Sequence, residues 1–377
     1  MNDIAIIFND SVVYQHSIIM VLAVAAAVLC AAGLRTIQRP DNMRSFLIMT
    51  VITIPVALLM SRFIYGFFVL ESFGRIPSIM FSENGGNSLL GAALGVLAVI
   101  LASKPLGLTD SIPESLDCVS PAAALALCVG RLAAVFGTDD RGFDIPESEA
   151  ENYLTTANEL GEQTALAVYA YESIFAGLLF VVVLLIFLST YASKKTAPRT
   201  RPGDTALIFL LGFGGFQGVL ESMRTDSMTI IGLGFVRVLQ ITALLCLVIP
   251  MIVFSVRAVR NNGFRKVFLC YWGAAAASLA LAIYMEFTLS ANFEVQKHNY
   301  SVMASCLVLV QLAAACFLLS ASRRQLAPAS THFHVWPEEA HSDKDVVASS
   351  HDALRSAVNA ARPKKSNKKN VSSFWDD

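Results

Sequence analysis

Nine apolar runs separated by polar joints set the pattern of this chain, at about 15–34, 46–71, 87–103, 120–137, 165–190, 204–221, 231–256, 265–289 and 300–321. A hydrocarbon core about 30 Å thick takes roughly 20 apolar residues per crossing helix. Each run therefore predicts a membrane-spanning helix, and the chain is expected to be an all-α polytopic membrane protein. The third, fourth and sixth runs are short and rich in Gly or Ala, which predicts helices enclosed by their neighbours. Alternate joints carry the basic residues: Arg35, Arg39 and Arg44; Lys104; Lys194, Lys195, Arg199 and Arg201; Arg257, Arg260, Arg265 and Lys266; Arg323 and Arg324. The positive-inside bias then puts the N-terminus outside and the C-terminus in the cytoplasm. That arrangement needs an odd number of spans; nine satisfies it, as would seven without the last hairpin. The opening MNDIAIIFND has two acids and no basic region, so the first run is expected to stay as a helix rather than be cleaved as a signal peptide.

Composition sharpens this picture. The chain is 55% hydrophobic and 15% charged, with a mean hydropathy of +0.58, whereas soluble domains carry about 25% charged residues. Two segments stand apart. Residues 138–164 hold eight Asp/Glu and one basic residue, and are expected to form an acidic extracytoplasmic cap loop. The tail 323–377 mixes nine Lys/Arg with seven Asp/Glu and has few large apolar residues, so it predicts a solvated, disordered cytoplasmic segment. Its Lys/Arg cluster at 362–369 could instead touch anionic lipid, and His332, His334, His341 and His351 could gather a metal. A net charge of −1 excludes a basic nucleic-acid binder. The seven cysteines lie in or beside apolar runs without zinc-type spacing, so no disulfide, metal or cofactor is assigned.

Ionisable groups inside or at the mouth of a span are costly, so they are candidates for function. Four runs place such groups at the level of the outer leaflet. The first starts with Tyr14-Gln15-His16-Ser17 and the third with Gly85-Gly86-Asn87-Ser88. The fourth leaves through Gly130-Arg131 into Gly137-Thr138-Asp139-Asp140-Arg141-Gly142, and the sixth through Glu221-Ser222-Met223-Arg224-Thr225-Asp226. Arginine forks match phosphate and carboxylate, so the convergence predicts a site for an anionic, amphipathic ligand. Packing alone would have Arg131 pair with Glu221 or Glu172. Glu221 and Arg224 are spaced i, i+3 for an ion pair. Gly91/Gly95 and Gly214/Gly218 have the spacing of close helix approach, while Gly86 could offer its N–H to a phosphate. An ion or solute transporter is disfavoured, because the polar groups are expected to stop at one leaflet.

The order GGNSLLGAALG, GRLAAVFGTDDRG, AVYAYESIF, LESMRTDSM and VRVLQ resembles the prolipoprotein diacylglyceryl transferases over roughly residues 10–257. The ExxRTDS pattern in ESMRTDSM is similar to that of Gram-positive members. The resemblance implies a seven-helix plasma-membrane bundle (1–257), here followed by an added transmembrane hairpin (258–322) and the tail. It also implies transfer of a diacylglyceryl group from phosphatidylglycerol to the lipobox cysteine of a prolipoprotein, presented on its signal peptide at the outer face of the bacterial membrane, with glycerol phosphate leaving. By resemblance, Arg131, Glu221 and Arg224 fall on catalytic-type positions. Gly142, Ser88, Gly91, Tyr171, Glu172, Arg237 and Gln240 match supporting ones, and Gly86 and Gln217 complete the candidate substrate-binding set. This sequence departs from the family at Leu90 in place of a histidine, Ala134 in place of an asparagine, Ala133 in place of a glycine, and Gln217 in place of an arginine. His16 is the candidate replacement base, or an interfacial histidine reaching toward headgroups. Two functions stay open: a divergent transferase, or a catalytically inactive relative that binds phospholipid or prolipoprotein. In the added hairpin, Glu286 and Gln311 are expected to serve helix packing.

Overall fold

The computed structural model describes residues 4–8, 11–69, 86–136, 140–157, 164–192, 201–225, 227–230, 233–289 and 292–326. In hydrocarbon a backbone must satisfy its own hydrogen bonds, and a helix does so within one segment. The apolar runs accordingly form α1 (Gln15–Gln38), α2 (Met43–Val69), α3 (Leu89–Ser103), α4 (Ile112–Arg131), α5 (Val168–Tyr191), α6 (Asp204–Met223), α7 (Val238–Asn262), α8 (Lys266–Phe287) and α9 (Phe293–Leu326). Among the described residues, eight helices are long and apolar enough to cross a membrane. The third expected span, α3, has 15 residues, or about 22 Å at 1.5 Å each, short of a full crossing. Large apolar side chains line the outside, with Val21 68%, Leu29 73% and Val51 70% exposed, as a lipid-facing rim requires.

Three short antiparallel hairpins flank the helices: β1 (Ile4–Phe8) with β2 (Ser11–Tyr14) ahead of α1, β3 (Thr155–Thr156) with β4 (Ala165–Leu166) between α4 and α5, and β5 (Thr229–Ile230) with β6 (Leu233–Arg237) between α6 and α7. The last hairpin makes α7 begin at Val238 rather than near 231. At α4 the difference runs the other way. The helix starts at Ile112 instead of 120, because its Glu114 and Asp117, which depress hydropathy, find partners in neighbouring segments.

Glycine sets the closest approach in the bundle. A Cβ at Gly91 would lie 2.7 Å from Ser61 Cα, and one at Gly95 would lie 2.7 Å from Ala57 Cα, so α3 sits directly on the backbone of α2. The hairpin α8–α9 packs on α6 and α7 through Leu247, Met251, Phe254, Phe268, Val310 and Phe317. Gln311 donates to the Leu211 carbonyl at 3.0 Å and fills the space left by Gly215. Met1–Ala327 forms one compact unit that includes this hairpin. The expected disordered tail starts as helix, since α9 continues through residues 323–326; the rest of it, with its histidines and its Lys/Arg cluster, lies outside the described residues, as do Gly85, Thr138, Asp139, Lys194, Lys195, Arg199 and Asp226.

Candidate functional site

Hydrogen bonds and ion pairs tie together the ends of α1, α4, α5, α6, α7, α8 and α9 on one side of the bundle. Arg131, the last residue of α4, stands at the centre. Its Nη1 lies 2.6 Å from Asp140 Oδ2 and its Nε lies 2.8 Å from Glu172 Oε2, at the start of α5. Arg224, which caps the C-terminus of α6, meets the other oxygen of Asp140, and its Nη1 is 3.7 Å from Glu221. One carboxylate thus bridges two guanidinium forks. The side chains of Arg131 and Arg224 are 14% and 10% exposed. Removing one partner from such an enclosed network leaves an uncompensated charge, which is the costly case.

The chain path explains how Asp140 reaches this position. Its φ of 59° lies in the left-handed region, which aspartate tolerates better than most residues. Two residues on, the Gly142 N–H donates to the Leu166 carbonyl at 2.8 Å. A Cβ there would lie 2.8 Å from Val168 Cγ2 and 2.9 Å from Leu166 Cβ. Gly142 is therefore required for the chain to pass between α5 and the end of α6, and it acts through packing. Burial opposes the charge on Asp140, yet Arg131, Arg224, the hydrogen bond from Arg131 and the nearby His16 hold its carboxyl below the usual range.

Gln217 joins the remaining acids. Its Nε2 donates to Glu172 Oε1 at 2.9 Å and to Glu221 Oε2 at 3.3 Å, and both glutamates are 1% exposed. Arg237, at the N-cap of α7, donates to the main-chain carbonyl of Glu221. Arg131 and Arg224 therefore share the acids Asp140, Glu172 and Glu221, with the neutral Gln217 between two of the carboxylates. The Nη2 atom of Arg131 is buried and has no hydrogen-bond partner among the described residues. His16 opens α1, and its Nδ1 lies 3.2 Å from the Ala133 carbonyl. A carbonyl only accepts, so that contact puts the proton on Nδ1 and leaves Nε2 with the free lone pair in the neutral ring.

The added hairpin reaches the same end of the bundle. Gln240 of α7 donates to Ser222 Oγ at 3.0 Å and to Glu286 Oε1 of α8 at 2.8 Å. Tyr300 of α9 donates to the Ser222 carbonyl at 3.1 Å. Other candidates are engaged elsewhere. Ser88 caps α3 by accepting from Gly91 N–H at 3.3 Å, and it exchanges bonds with Ser61 of α2. Gly86 lies against the ring of Tyr65. Tyr171 Oη accepts from the Leu154 N–H at 3.0 Å, holding the cap segment. Asp140 stands inside the quoted GTDDRG segment, where the sequence pattern assigns it no role. The available signal was an acid close beyond an arginine at a helix end.

Polar groups are not confined to this end, contrary to expectation. At the opposite end Asp117 is fully buried and accepts from Gly203 N–H at 2.7 Å, Ala206 N–H at 2.9 Å and Tyr191 Oη at 2.8 Å. Asp204 pairs with Arg257, and Arg39 pairs with Asp110 and Glu114. Helix starts leave unpaired N–H groups that favour anions, and Asp117 answers that need for α6. This second cluster is explained by helix packing.

Comparison with known proteins places the chain in context. The family model described as prolipoprotein diacylglyceryl transferase matches residues 3–256. A phosphatidylglycerol–prolipoprotein diacylglyceryl transferase of Limosilactobacillus reuteri is 23% identical over 279 residues, covering 71% of this chain and 96% of that protein. One of Streptococcus agalactiae is 24% identical over 224 residues, 58% and 80% of the two chains. One of Bacillus mycoides is 27% identical over 222 residues, 56% and 76% of the two chains.

Proposed function

The chain belongs to the prolipoprotein diacylglyceryl transferase family, and from that premise we propose that it transfers a diacylglyceryl group from phosphatidylglycerol to the lipobox cysteine of a prolipoprotein. The observation that carries this is the pair of arginine forks sharing one carboxylate, with a buried Arg131 N–H that has no hydrogen-bond partner among the described residues. An anionic headgroup competes with Asp140 for those forks and accepts from that N–H. Charge-assisted, bidentate contacts of this kind suit a phosphate.

In the proposed reaction the cysteine sulfur attacks the glyceryl carbon that bears the phosphate ester. The C–S bond forms as the C–O bond breaks, the bonding pair leaves on an oxygen of glycerol phosphate, and the thiol proton passes to His16 Nε2. A thiol with its ordinary pKa near 8.5 needs such a base to become a thiolate. Arg131 and Arg224 neutralise the charge that grows on the leaving phosphate. Glu172, Glu221 and Gln217 hold the two arginines in place, and Arg237 and Gln240 fix the chain at the end of α6.

We place the arginine end at the outer face of the plasma membrane, with the N-terminus outside. The basic groups Arg35, Arg39, Arg44, Lys104, Arg257, Arg260, Arg265 and Lys266 all fall at the other ends of their helices or in the adjoining turns, which supports that orientation. Residues 1–257 form the transferase unit, 258–322 the added hairpin and 323–377 the cytoplasmic tail. The test is rescue of a bacterium depleted of its own diacylglyceryl transferase, with lipidation of a reporter prolipoprotein as the readout.

A specific observation favours a second reading, a relative that binds phospholipid or prolipoprotein without turnover. Gln217 brings no cation to the two buried glutamates it joins, and Leu90 supplies no proton acceptor. Membrane insertion and phospholipid binding without rescue would establish that reading.

A further inference from the structure

Where α7 turns into α8, at the end of the bundle away from the arginine cluster, the surface holds an apolar groove of about 240 Å³. It is lined by Val259 and Arg260 of α7, Phe268, Leu269 and Trp272 of α8, and Phe317 of α9. Phe317 is fully buried and anchors the aromatic wall, with ring centres 5.5 Å from Phe268 and 6.3 Å from Trp272. The approaches are greasy too, with Phe264 66% and Leu269 60% exposed.

Charge at the rim is the second observation. Arg257, just inside the end of α7, is neutralised by Asp204. Arg260 stands in the groove wall, and Arg265 and Lys266 follow at the start of α8, both exposed. No ion pair engages these three cations among the described residues. An apolar slot edged by unneutralised cations matches an amphiphile with an acyl chain and an anionic head. A tryptophan in such a wall suits the membrane interface. The cytoplasmic leaflet, which faces this end in the proposed orientation, carries anionic lipid.

We propose that this groove binds one anionic glycerophospholipid of the cytoplasmic leaflet. Its acyl chain lies along Phe268, Trp272 and Phe317, and its phosphate rests on Arg260 with Arg265 and Lys266 beside it. The site is separate from the proposed transfer site, and α8 and α9, which supply most of its aromatic wall, lie beyond the residues the family model matches.

Trp272 provides the probe. The chain has three tryptophans, so Trp336→Phe with Trp375→Phe leaves Trp272 as the sole emitter. This full-length protein is reconstituted in phosphatidylcholine vesicles, and its fluorescence is quenched with brominated-chain phosphatidylserine or brominated-chain phosphatidylcholine at equal mole fractions. Phosphatidylserine is expected to reach half-quenching at about fivefold lower mole fraction, the effect of one basic side chain at an anionic surface. Arg260→Gln with Arg265→Gln and Lys266→Gln is expected to bring the ratio of the two half-quenching fractions to one. Using the ratio cancels any general change in Trp272 exposure. Equal quenching by the two lipids in the parent protein would overturn the proposal, and so would a preference that survives the triple substitution. A groove that serves an acidic protein partner instead would give the first of those results.

Discussion

At the residue scale, Asp140 holds the site together. It adopts a left-handed backbone and bridges Arg131 and Arg224. Asp140→Asn keeps the side-chain shape and the tolerance for positive φ but removes the charge, leaving two enclosed guanidinium groups short of a counter-anion. The expected destabilisation is about 3–5 kcal/mol, measured as a fall in the thermal midpoint of the detergent-solubilised protein. The pH dependence follows in sign. The folded-state pKa is depressed, so the stability Asp140 contributes is full above the unfolded aspartate value of about 3.9 and is lost as pH falls through the folded value. The acid limb of the stability curve should therefore flatten in Asp140→Asn. His16→Ala, which removes the proposed base and its hydrogen bond to the Ala133 carbonyl, is expected to cut transfer by about 10²–10⁴-fold at a stability cost of only about 1 kcal/mol. Unchanged transfer would remove His16 from the mechanism.

At the element scale, backbone contact and the added hairpin matter most. Gly95→Leu forces a side chain into the main chain of α2 at Ala57 and is expected to cost about 1–3 kcal/mol. The same change at Gly33, where a Cβ meets nothing within 4 Å, should be neutral, and equal effects at both sites would contradict the close-approach role. Glu286→Leu removes the acceptor for Gln240 and is expected to lose about 1 kcal/mol, whereas Glu286→Gln keeps an acceptor oxygen and most of that stability. Differential scanning of the two variants separates them. The helices were legible in the sequence because a lipid-spanning helix needs a long apolar run. The start of α4 was not, since Asp117 is satisfied by the N-terminus of α6, which lies far along the chain. The start of α7 was hidden for a different reason: β6 is as apolar as a helix, and periodicity alone does not separate the two.

Over the whole molecule, alternating basic joints and apolar runs make the fold class and the clustering of helix ends legible in the sequence. The direction of Arg131, Glu172, Glu221 and Arg224 toward one place was readable as well. The bridging role of Asp140 was not, because it depends on a left-handed turn and on Gly142 threading between two helices. Nor was the place of the uncharged Gln217, which donates to two buried carboxylates. A neutral side chain at this position bears on turnover against mere binding, so a direct assay carries the most weight. Purified protein in vesicles containing phosphatidylglycerol is given a lipobox peptide, and the peptide is read by mass spectrometry. Transfer predicts a mass gain of one diacylglyceryl group on the cysteine, with stoichiometric release of glycerol phosphate and loss of both in Arg131→Gln. An unmodified peptide in the presence of folded, lipid-bound protein would contradict it.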